Sequence, residues 1–324
     1  MRRDRIERLS LNHPSEYYEG LVWKSTDIRD ALNIKIGLVP VTSSEETDLF
    51  NYFRHTSSMP QFQIPGSVQY LVRDEQTNKY LGIIQLSVDL LKSQYKDAYL
   101  GLEPRHRGRL KGHIRKNSAN LSICVPLQPF GFNFCGGKLL AMLAFSKEVY
   151  RDFSIRKEGS VLAMIVTTSI HGKSVQYDRL EQLKYLGLTH GYGTGHVTDE
   201  LYDQVKVFVK RNHPQFDLDD SSKHTTLSFA LDRLGLGGGY LHHGRQKGIY
   251  AGVTGTNSRE YLLKKASTHN PDLLKSCDEI AEFWKARWAA QRYGHLKSTG
   301  RLVGVGPVAS PPLEQEGGSH PPKS

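Results

Sequence analysis

The amino-acid sequence predicts an α/β fold, with a mixed β-sheet flanked by helices and a C-terminal α+β extension. Short apolar runs typical of strands alternate with amphipathic segments typical of helices, which is the order found in α/β sheets. The run at residues 161–169 is the clearest of these strands. Apolar residues make up 38% of the 324 positions, so the chain has enough material for a packed core. No run approaches the roughly 18 apolar residues of a membrane helix.

The predicted elements follow one another along residues 34–197. A strand at 34–41 leads into a helix that begins near Thr42, where a hydroxyl cap and early acidic residues indicate a helix start. The remaining segments are a hairpin, a buried strand, a loop containing glycine, a helix, the strand at 161–169 and a last helix that ends at Gly187. Apart from the strand at 161–169, they occupy residues 68–88, 121–127, 128–138, 139–150 and 176–186.

Composition divides the chain into four parts. Residues 1–33 are polar and charged, and we expect an arm with a short helix at 26–32. Residues 34–197 form the α/β domain. Residues 198–303 form the extension, with helices at 199–210 and 277–293 around a glycine-rich middle. Residues 304–324 are rich in Gly, Pro and Ser, which predicts a disordered tail.

The cysteines and the N-terminal sequence indicate the cellular compartment of the protein. Cys124, Cys135 and Cys277 are an odd number at wide spacing, which suits neither a disulfide framework nor a paired-cysteine zinc site. The N-terminus is charged and is not followed by an apolar stretch, so no secretory signal is predicted. We therefore expect a cytoplasmic protein, in a bacterium or an infected host cell, that does not enter a membrane. The sequence leaves its oligomeric state open.

The charge balance indicates an anionic partner. The formal net charge is +10, the isoelectric point is near 9.3 and the mean hydropathy is −0.48. Such a protein attracts phosphate backbones and anionic cofactors, and this binding weakens steeply with salt. The alternative is that the charge serves only solubility.

Residues 105–116, which we call the basic segment, carry six formal positive charges and no acidic residue. This pattern predicts a DNA-binding loop or exposed helix, and a solvated loop without a ligand is the alternative. Residues 242–250 mix cationic and aromatic residues in a second candidate surface, on which a base could stack. The predicted nucleic-acid-binding residues on the two segments are Arg105, Arg107, Arg109, Lys111, Arg115, Lys116, Arg245 and Lys247.

A glycine loop precedes the helix at 139–150. The loop ends in Cys135-Gly-Gly-Lys138. Glycines let backbone N–H groups approach a ligand, and a helix N-terminus favours a pyrophosphate; a simple tight turn is the alternative. The predicted cofactor-binding residues are Val125, Leu127, Cys135, Gly136, Gly137 and Lys138.

Candidate catalytic side chains follow the strand at 161–169, since strand ends in open α/β sheets are where sites usually form. His171 is the candidate general base, and Ser169, Tyr177 and Asp178 lie close to it in sequence. A loop histidine is also commonly a plain surface residue. The histidines at 190, 196, 242 and 243 with Asp199 have no compelling metal spacing, so no metal is predicted.

The order of elements resembles that of the GNAT-like acyltransferases: a β–α opening, a hairpin, a strand leading through a glycine loop to a helix, another strand and a further helix. Tyr185-Leu-Gly-Leu resembles the ending of that last helix in the family. The resemblance implies acetyl-CoA or another activated acyl donor, with Tyr185 supplying a proton to the leaving thiol. Tyr185 could equally be a core aromatic. The loop Phe132-Asn-Phe-Cys-Gly-Gly departs from the usual Gln/Arg-x-x-Gly-x-Gly/Ala.

Three further stretches resemble the GNAT-like group that contains the phage Mom DNA-modification proteins and the DruA proteins of the Druantia anti-phage system. They are Asn117-Ser-Ala-Asn-Leu-Ser-Ile-Cys-Val-Pro, Cys135-Gly-Gly-Lys-Leu-Leu-Ala, and Lys184-Tyr-Leu-Gly-Leu-Thr-His-Gly-Tyr-Gly-Thr seven residues after Tyr177. Mom proteins are proposed to attach a glycine-derived group to adenine in DNA. The resemblance implies phage DNA as the partner.

Three hypotheses for function remain. The first is a GNAT-like transferase that adds an acyl or amino-acid-derived group to a base in phage DNA, either an unmodified base or an already modified one. The second is a non-catalytic DNA-binding component of phage defence, which the departure of the glycine loop favours because a fold does not guarantee activity. The third is an N-acetyltransferase of a protein or small-molecule amine, for which a pocket rimmed by acidic residues would argue.

Overall fold

The computed structural model describes residues 9, 11–57, 64, 66–89, 93–170, 172–194, 197, 199–218, 221–237 and 241–304. For residues 190–194, 199 and 242–245 only the backbone is described. The predicted tail at 304–324 and the start of the predicted arm lie almost entirely outside the described residues.

A mixed seven-stranded sheet in the order β1-β2-β3-β4-β5-β7-β6 forms the centre of the described chain. β4 and β5 pair in parallel, and all the other neighbours are antiparallel. This confirms the predicted mixed α/β class. The strands are β1 (Ile36–Pro40), β2 (Val68–Asp74), β3 (Lys79–Val88), β4 (Ser118–Pro126), β5 (Met164–Ser169), β6 (Lys184–Thr194) and β7 (His242–Val253).

Helices flank the sheet in the described parts of the chain. They are α1 (Ser15–Gly20), α2 (Ile28–Asn33), α3 (Ser44–Thr56), α4 (Gln94–Leu100), α5 (Arg107–Lys116), α6 (Phe130–Asn133), α7 (Gly136–Leu143), α8 (Lys147–Arg156), α9 (Asp199–Asn212), α10 (Lys223–Arg233), α11 (Ser258–Leu262), α12 (Cys277–Trp284) and α13 (Ala290–Ser298). A π-helical turn, Lys285–Ala289, joins α12 to α13. No helix among the described residues has the length and apolar character needed to cross a membrane.

Local sequence explains the opening elements. The predicted cap of α3 is present as a capping box, in which the Ser43 hydroxyl accepts from the Glu46 N–H and the Glu46 side chain accepts from the Ser43 N–H. The predicted hairpin is β2 and β3. Its turn is held by the buried Asp74, which accepts hydrogen bonds from the Lys35 N–H at 3.1 Å and the Thr77 hydroxyl at 2.6 Å.

Apolar layers cover both faces of the sheet. Along β2, Tyr70 and Val72 join one buried cluster and Leu71 joins another, because successive side chains of a strand point to opposite faces. The first cluster contains α7 and α12, and the second contains the aromatic face of α3. The arm contributes to both through Trp23 and Tyr18, and its short helix is present as α2.

The helix predicted at 176–186 is wrong. Hydrogen-bonded turns follow Ser174, Arg179 has a φ of 62°, and β6 begins at Lys184. β6 pairs with β7 along its length, so strand pairing overrides the helical pattern of this segment. Tyr185-Leu-Gly-Leu is therefore part of a strand and not the end of a helix.

The helix predicted at 139–150 is two helices. α7 ends at Leu143, and the buried Ser146 hydroxyl accepts from the Val149 N–H to start α8. A serine cap is a stronger local signal than the apolar pattern that crosses it.

β7 lies between β5 and β6 although it comes from the segment beyond residue 197. β5 pairs with it over six positions, from Met164↔Val253 to Ser169↔Gly248. The sheet therefore includes a strand from the glycine-rich middle of the predicted α+β extension, where no individual strand had been placed.

Candidate functional site

β4 and β5 pair over three positions only, from Ser118↔Met164 to Asn120↔Val166, and then separate. Where the backbone pairing ends, side chains donate hydrogen bonds to the backbone carbonyls of β4. The Thr167 hydroxyl donates to the Leu121 carbonyl at 2.8 Å, and the Gln176 amide donates to the Cys124 carbonyl at 2.9 Å. Tyr177 is buried beside Thr167 and Cys124. The segment that follows β5 thus closes the opening between the two strands.

The glycine loop faces this closed opening. Cys135 caps α7 with a φ of 55°, and every residue of α7 is buried. A Cβ at Gly136 would collide with the Phe130 ring, and one at Gly137 would lie 3.1 Å from the Gln176 side chain. The glycines therefore permit close packing of protein on protein. In this arrangement the start of α7 is covered, and it does not fit the pyrophosphate of acetyl-CoA unless Gln176 is displaced.

The other predicted cofactor-binding residues have structural contacts. Val125 pairs with Ile83 across the sheet, and Leu127 is buried in the cluster beneath α3. The Lys138 amine donates to the Asp178 carbonyl at 2.6 Å and lies 4.3 Å from the centre of the Trp288 ring. Of the predicted set, Gly137 lies against the Gln176 side chain and Lys138 bonds to the Asp178 carbonyl, so both contact the segment following β5.

Tyr177, Asp178, Tyr185, Tyr250 and Lys138 form what we call the tyrosine–aspartate cluster. The Tyr250 hydroxyl donates to the Asp178 carboxylate at 2.7 Å and accepts from the Ser174 N–H at 2.8 Å. The rings of Tyr177 and Tyr185 meet the Tyr250 ring edge-on, with centroids 5.4 and 5.2 Å away. Three of the five predicted catalytic residues are thus brought together around a residue that was not predicted.

Burial controls the protonation of this region. It raises the pKa of both the Tyr177 and the Tyr250 hydroxyl, and it lowers the pKa of the Lys138 amine. Burial also raises the pKa of the Cys124 thiol to about 12 and that of the Cys135 thiol above its ordinary value. The tyrosines are therefore protonated hydrogen-bond donors at neutral pH, and neither thiol is a thiolate nucleophile.

The remaining candidates are placed apart from the cluster or outside the described residues. Ser169 ends β5, two positions beyond Thr167, and its hydroxyl donates to the Gly172 carbonyl. His171 lies outside the described residues, so its role as a general base stays a prediction. Tyr250 could have been suspected from its place at the end of the cationic and aromatic run 242–250, but only its pairing opposite Thr167 shows its partners.

The basic segment folds as a short 3₁₀ turn, Pro104–His106, followed by α5. Leu110 and Ile114, one helical turn apart, anchor α5 in a buried cluster with Met164 and Val166 of β5. The opposite face is exposed, as predicted for a helix that presents cations to solvent. Gly108 and Gly112 on α5 have open space where a Cβ would be.

Ion pairing separates the cations of the basic segment into two groups. Arg105 pairs with Glu103 at 2.6 Å, and Arg107 pairs with Asp97. Arg109, Lys111, Arg115 and Lys116 are exposed and have no acidic partner within the described part of the chain. These four are free to contact phosphates.

The second predicted surface is only partly described. Lys247 is half-buried on β7, where its N–H donates to the Thr189 hydroxyl at 3.0 Å. Arg245 lies on the same strand, with its side chain outside what is described. Across the described residues there is no group of three His, Cys, Asp or Glu side chains that could hold a metal ion.

Comparison with known proteins places these features in a family. The family model of the Druantia protein DruA matches residues 12–264, which is more than half of the chain. The chain belongs to the DruA family. The match includes α5, α7 and all seven strands, and it ends before α12.

A curated DruA-family protein is similar over most of this chain. The Druantia protein DruA of Escherichia coli (strain UMEA 4076-1) is 29% identical over 271 residues. The similarity covers 76% of this chain and 65% of the relative, so this chain spans about two thirds of the relative's length. No solved structure matches the chain.

Proposed function

We propose that this DruA-family protein is a DNA-binding component of a phage-defence system, and that α5 is its main DNA-binding surface. The observation that supports this most strongly is the group of four exposed, unpaired cations on α5: Arg109, Lys111, Arg115 and Lys116. Their helix is anchored by Leu110 and Ile114, so the charges are held on a rigid element and not on a loop.

The chemistry of this surface fits a phosphate backbone. Arginine and lysine side chains neutralise phosphates and release condensed counterions, which gives affinity without dependence on base sequence. The net charge of +10 adds long-range attraction to the same partner. We expect binding to duplex DNA that is tight at low salt and weak at high salt.

The test is fluorescence anisotropy of a labelled duplex at several salt concentrations. The double variant Arg109→Gln/Lys111→Gln should bind more weakly, and the slope of log Kobs against log salt should fall by about 2, since each lost phosphate contact removes about 0.9. The matched control is Lys24→Gln/Arg301→Gln, which removes two exposed cations away from α5. Equal slopes for the two double variants would show that α5 is not the DNA-binding surface.

A second candidate function is a GNAT-like transfer of an acyl or amino-acid-derived group to a DNA base. It is supported by the order of a β–α opening, a hairpin, β4, the glycine loop, α7 and β5, and by the buried tyrosine–aspartate cluster at the end of β5. Buried polar groups with shifted pKa values are common at catalytic sites. An activated donor such as acetyl-CoA would have to displace Gln176 from the start of α7.

Nucleoside mass spectrometry tests this second function. DNA from cells that express the wild-type protein would carry a mass adduct, and the Asp178→Asn variant would lose it. Binding to the labelled duplex should be unchanged in Asp178→Asn, because Asp178 is not part of α5. Identical nucleoside masses in cells with and without the protein would contradict the transferase and leave the binding component.

A further inference from the structure

A cleft of about 320 Å³ opens between α5 and α8, at the end of β3 and the start of β4. It borders the DNA-binding face proposed for α5. Its floor is apolar and its walls carry hydroxyl and cationic groups. The lining residues that define it are Val88, Gly112, Arg115, Lys157, Phe153 and Ser160.

Cations from two separate helices meet at this cleft. Arg115 and Lys116 come from α5, and Lys157 comes from the residue that follows α8. No carboxylate lines the cleft in the described chain. The nearest acid in the hydrogen-bond network is Asp89, which accepts from the Ser118 hydroxyl at 3.1 Å and is neutralised by Lys96 at 2.9 Å. The cleft therefore has a strongly positive character.

The Lys157 amine at the cleft is held by the local backbone, and the Lys116 amine lies close to the same turn. Lys157 donates to the Gly66 carbonyl. The Lys116 amine reaches across from α5 and lies 3.0 Å from the position that a Cβ of Gly159 would take. Gly159 has a φ of +66°, so the turn after α8 favours glycine. Because glycine has no Cβ, the turn also leaves the space that the Lys116 amine occupies. The hydrogen bond to Gly66 positions the Lys157 amine before any ligand arrives.

Ser160 provides an unused hydrogen-bonding group. Its side chain lines the cleft and the residue is only 8% exposed. Its N–H bonds to the Lys157 carbonyl, but its hydroxyl has no hydrogen-bond partner among the residues that the structure describes. The hydroxyl oxygen is accessible to solvent in the cleft, so it can donate to a ligand oxygen.

We propose that this cleft binds one phosphate group of the nucleic-acid strand that lies on α5, an inference that rests on the proposed function. Arg115, Lys116 and Lys157 supply the positive charge, and the Ser160 hydroxyl donates to a phosphate oxygen. Charge-assisted hydrogen bonds of this kind are about twice as strong as neutral ones. Their setting in a concave, partly buried site strengthens them further relative to the open face of the helix.

Two aspartate variants on α5 test the cleft. Gly112 lines it and Gly108 lies one helical turn away outside its lining, and neither has an atom within 4 Å of the position of a Cβ. Gly112→Asp and Gly108→Asp thus add the same charge to the same helix without a steric clash. We expect Gly112→Asp to lower affinity for a labelled duplex about tenfold more than Gly108→Asp, because its carboxylate faces the bound phosphate at short range. Thermal unfolding checks that both variants are folded.

The outcomes separate the cleft from the proposed function. Equal weakening in the two variants would mean that DNA binds α5 without using the cleft, so this inference would fail and the proposed function would stand. Unchanged binding in both would overturn the two together. Ser160→Ala, which removes the hydroxyl and no charge, should weaken binding severalfold while leaving the salt slope unchanged.

Inorganic phosphate distinguishes a strand phosphate from a free one. Phosphate replaces chloride at constant ionic strength, and the Tm of the wild-type protein is compared with that of Gly112→Asp. A phosphate-dependent rise in the wild-type Tm alone, together with selective loss of duplex binding in Gly112→Asp, supports the proposal. The same rise with equal duplex binding in Gly108→Asp and Gly112→Asp would assign the cleft to free phosphate and overturn the strand assignment.

Discussion

At the scale of single residues, Tyr250 organises the region after β5 through its hydroxyl group. It satisfies the Asp178 carboxylate and the Ser174 N–H at once, while its ring separates those of Tyr177 and Tyr185. Tyr185 has the same type of ring in the same contact, but its hydroxyl has no hydrogen bond among the described residues. The two tyrosines therefore form a matched pair.

Tyr250→Phe should destabilise the protein by about 1–3 kcal/mol, because it leaves a carboxylate and an N–H without their shared partner. Tyr185→Phe should change the free energy of unfolding by less than about 0.5 kcal/mol. Urea denaturation of both variants measures the difference. Equal free energies would show that the Tyr250 hydroxyl contributes nothing to the fold.

His269 makes stability depend on pH. Its Nδ1 lies 3.0 Å from the Tyr150 hydroxyl, and its Nε2 lies 2.8 Å from the Ser258 hydroxyl and 3.3 Å from that of Thr254. Burial lowers the pKa of the imidazole, and Asp272 offsets this in part. The folded protein therefore binds the proton less well than the unfolded chain does.

Because the pKa of His269 is lower in the folded protein than in the unfolded chain, this group stabilises the fold at pH values above the unfolded pKa, which is near 6.5. That contribution is lost as the pH falls through the folded pKa. Between pH 7.5 and 5.5, the Tm of the wild-type protein should fall by roughly 1–3 °C more than that of His269→Gln, which cannot titrate. Differential scanning calorimetry measures this, with His295→Gln on an exposed helix face as the control. Parallel curves of Tm against pH for the wild-type protein and His269→Gln would show that His269 does not cause the pH dependence.

At the scale of elements, α12 is held on α7 by Trp284. The Trp284 side chain is fully buried, and its Nε1–H donates to the Phe134 carbonyl at 3.0 Å. Trp288, one helical turn later, is half-buried, and its Nε1–H has no partner in the described structure. Residues four apart lie on the same face of a helix, and here both tryptophans belong to the face that packs on the core.

Trp284→Phe should lower the free energy of unfolding by about 1–3 kcal/mol, since it removes a buried hydrogen bond and leaves the Phe134 carbonyl without a donor. Trp288→Phe makes the same chemical change without losing a hydrogen bond, and we expect a change within about 0.5 kcal/mol. Guanidinium unfolding of both variants compares them. If Trp288→Phe lowered the free energy of unfolding more than Trp284→Phe, the contact of Lys138 with the Trp288 ring would be the main contact that holds α12.

Element prediction succeeded where the signal was local and failed where it was not. The capping box of α3, the turn between β2 and β3 and the charge run of α5 all lie within a few residues of the element that they mark. Residues 184–194 carry no such signal. The predicted helix extended to Leu186, and only pairing with β7, some 60 residues later in the chain, makes residues 184–194 a strand.

At the scale of the whole molecule, β7 connects the part of the chain before residue 197 with the part after it. β7 is the hydrogen-bonding partner of both β5 and β6. A chain that ends at residue 197 would leave the edge of β5 open and β6 without its partner.

A fragment of residues 1–197 should therefore fail to unfold cooperatively, whereas the full chain should show a single steep transition. Circular dichroism during thermal unfolding, with limited proteolysis at the same temperatures, tests this. A cooperative transition and protease resistance in the fragment would show that residues 34–197 fold as an independent domain.

The sequence by itself determined the mixed α/β class and most of the elements before residue 170, and it predicted that the basic segment is an exposed helix or loop. Periodicity, caps and charge runs are local properties. It could also draw attention to Tyr177, Asp178 and Tyr185. Only the tertiary structure decided that these residues meet around Tyr250, that Gln176 covers the glycine loop, and that Arg115, Lys116 and Lys157 meet at one cleft. Each of these depends on strand pairing or helix packing between distant segments, which no local pattern encodes.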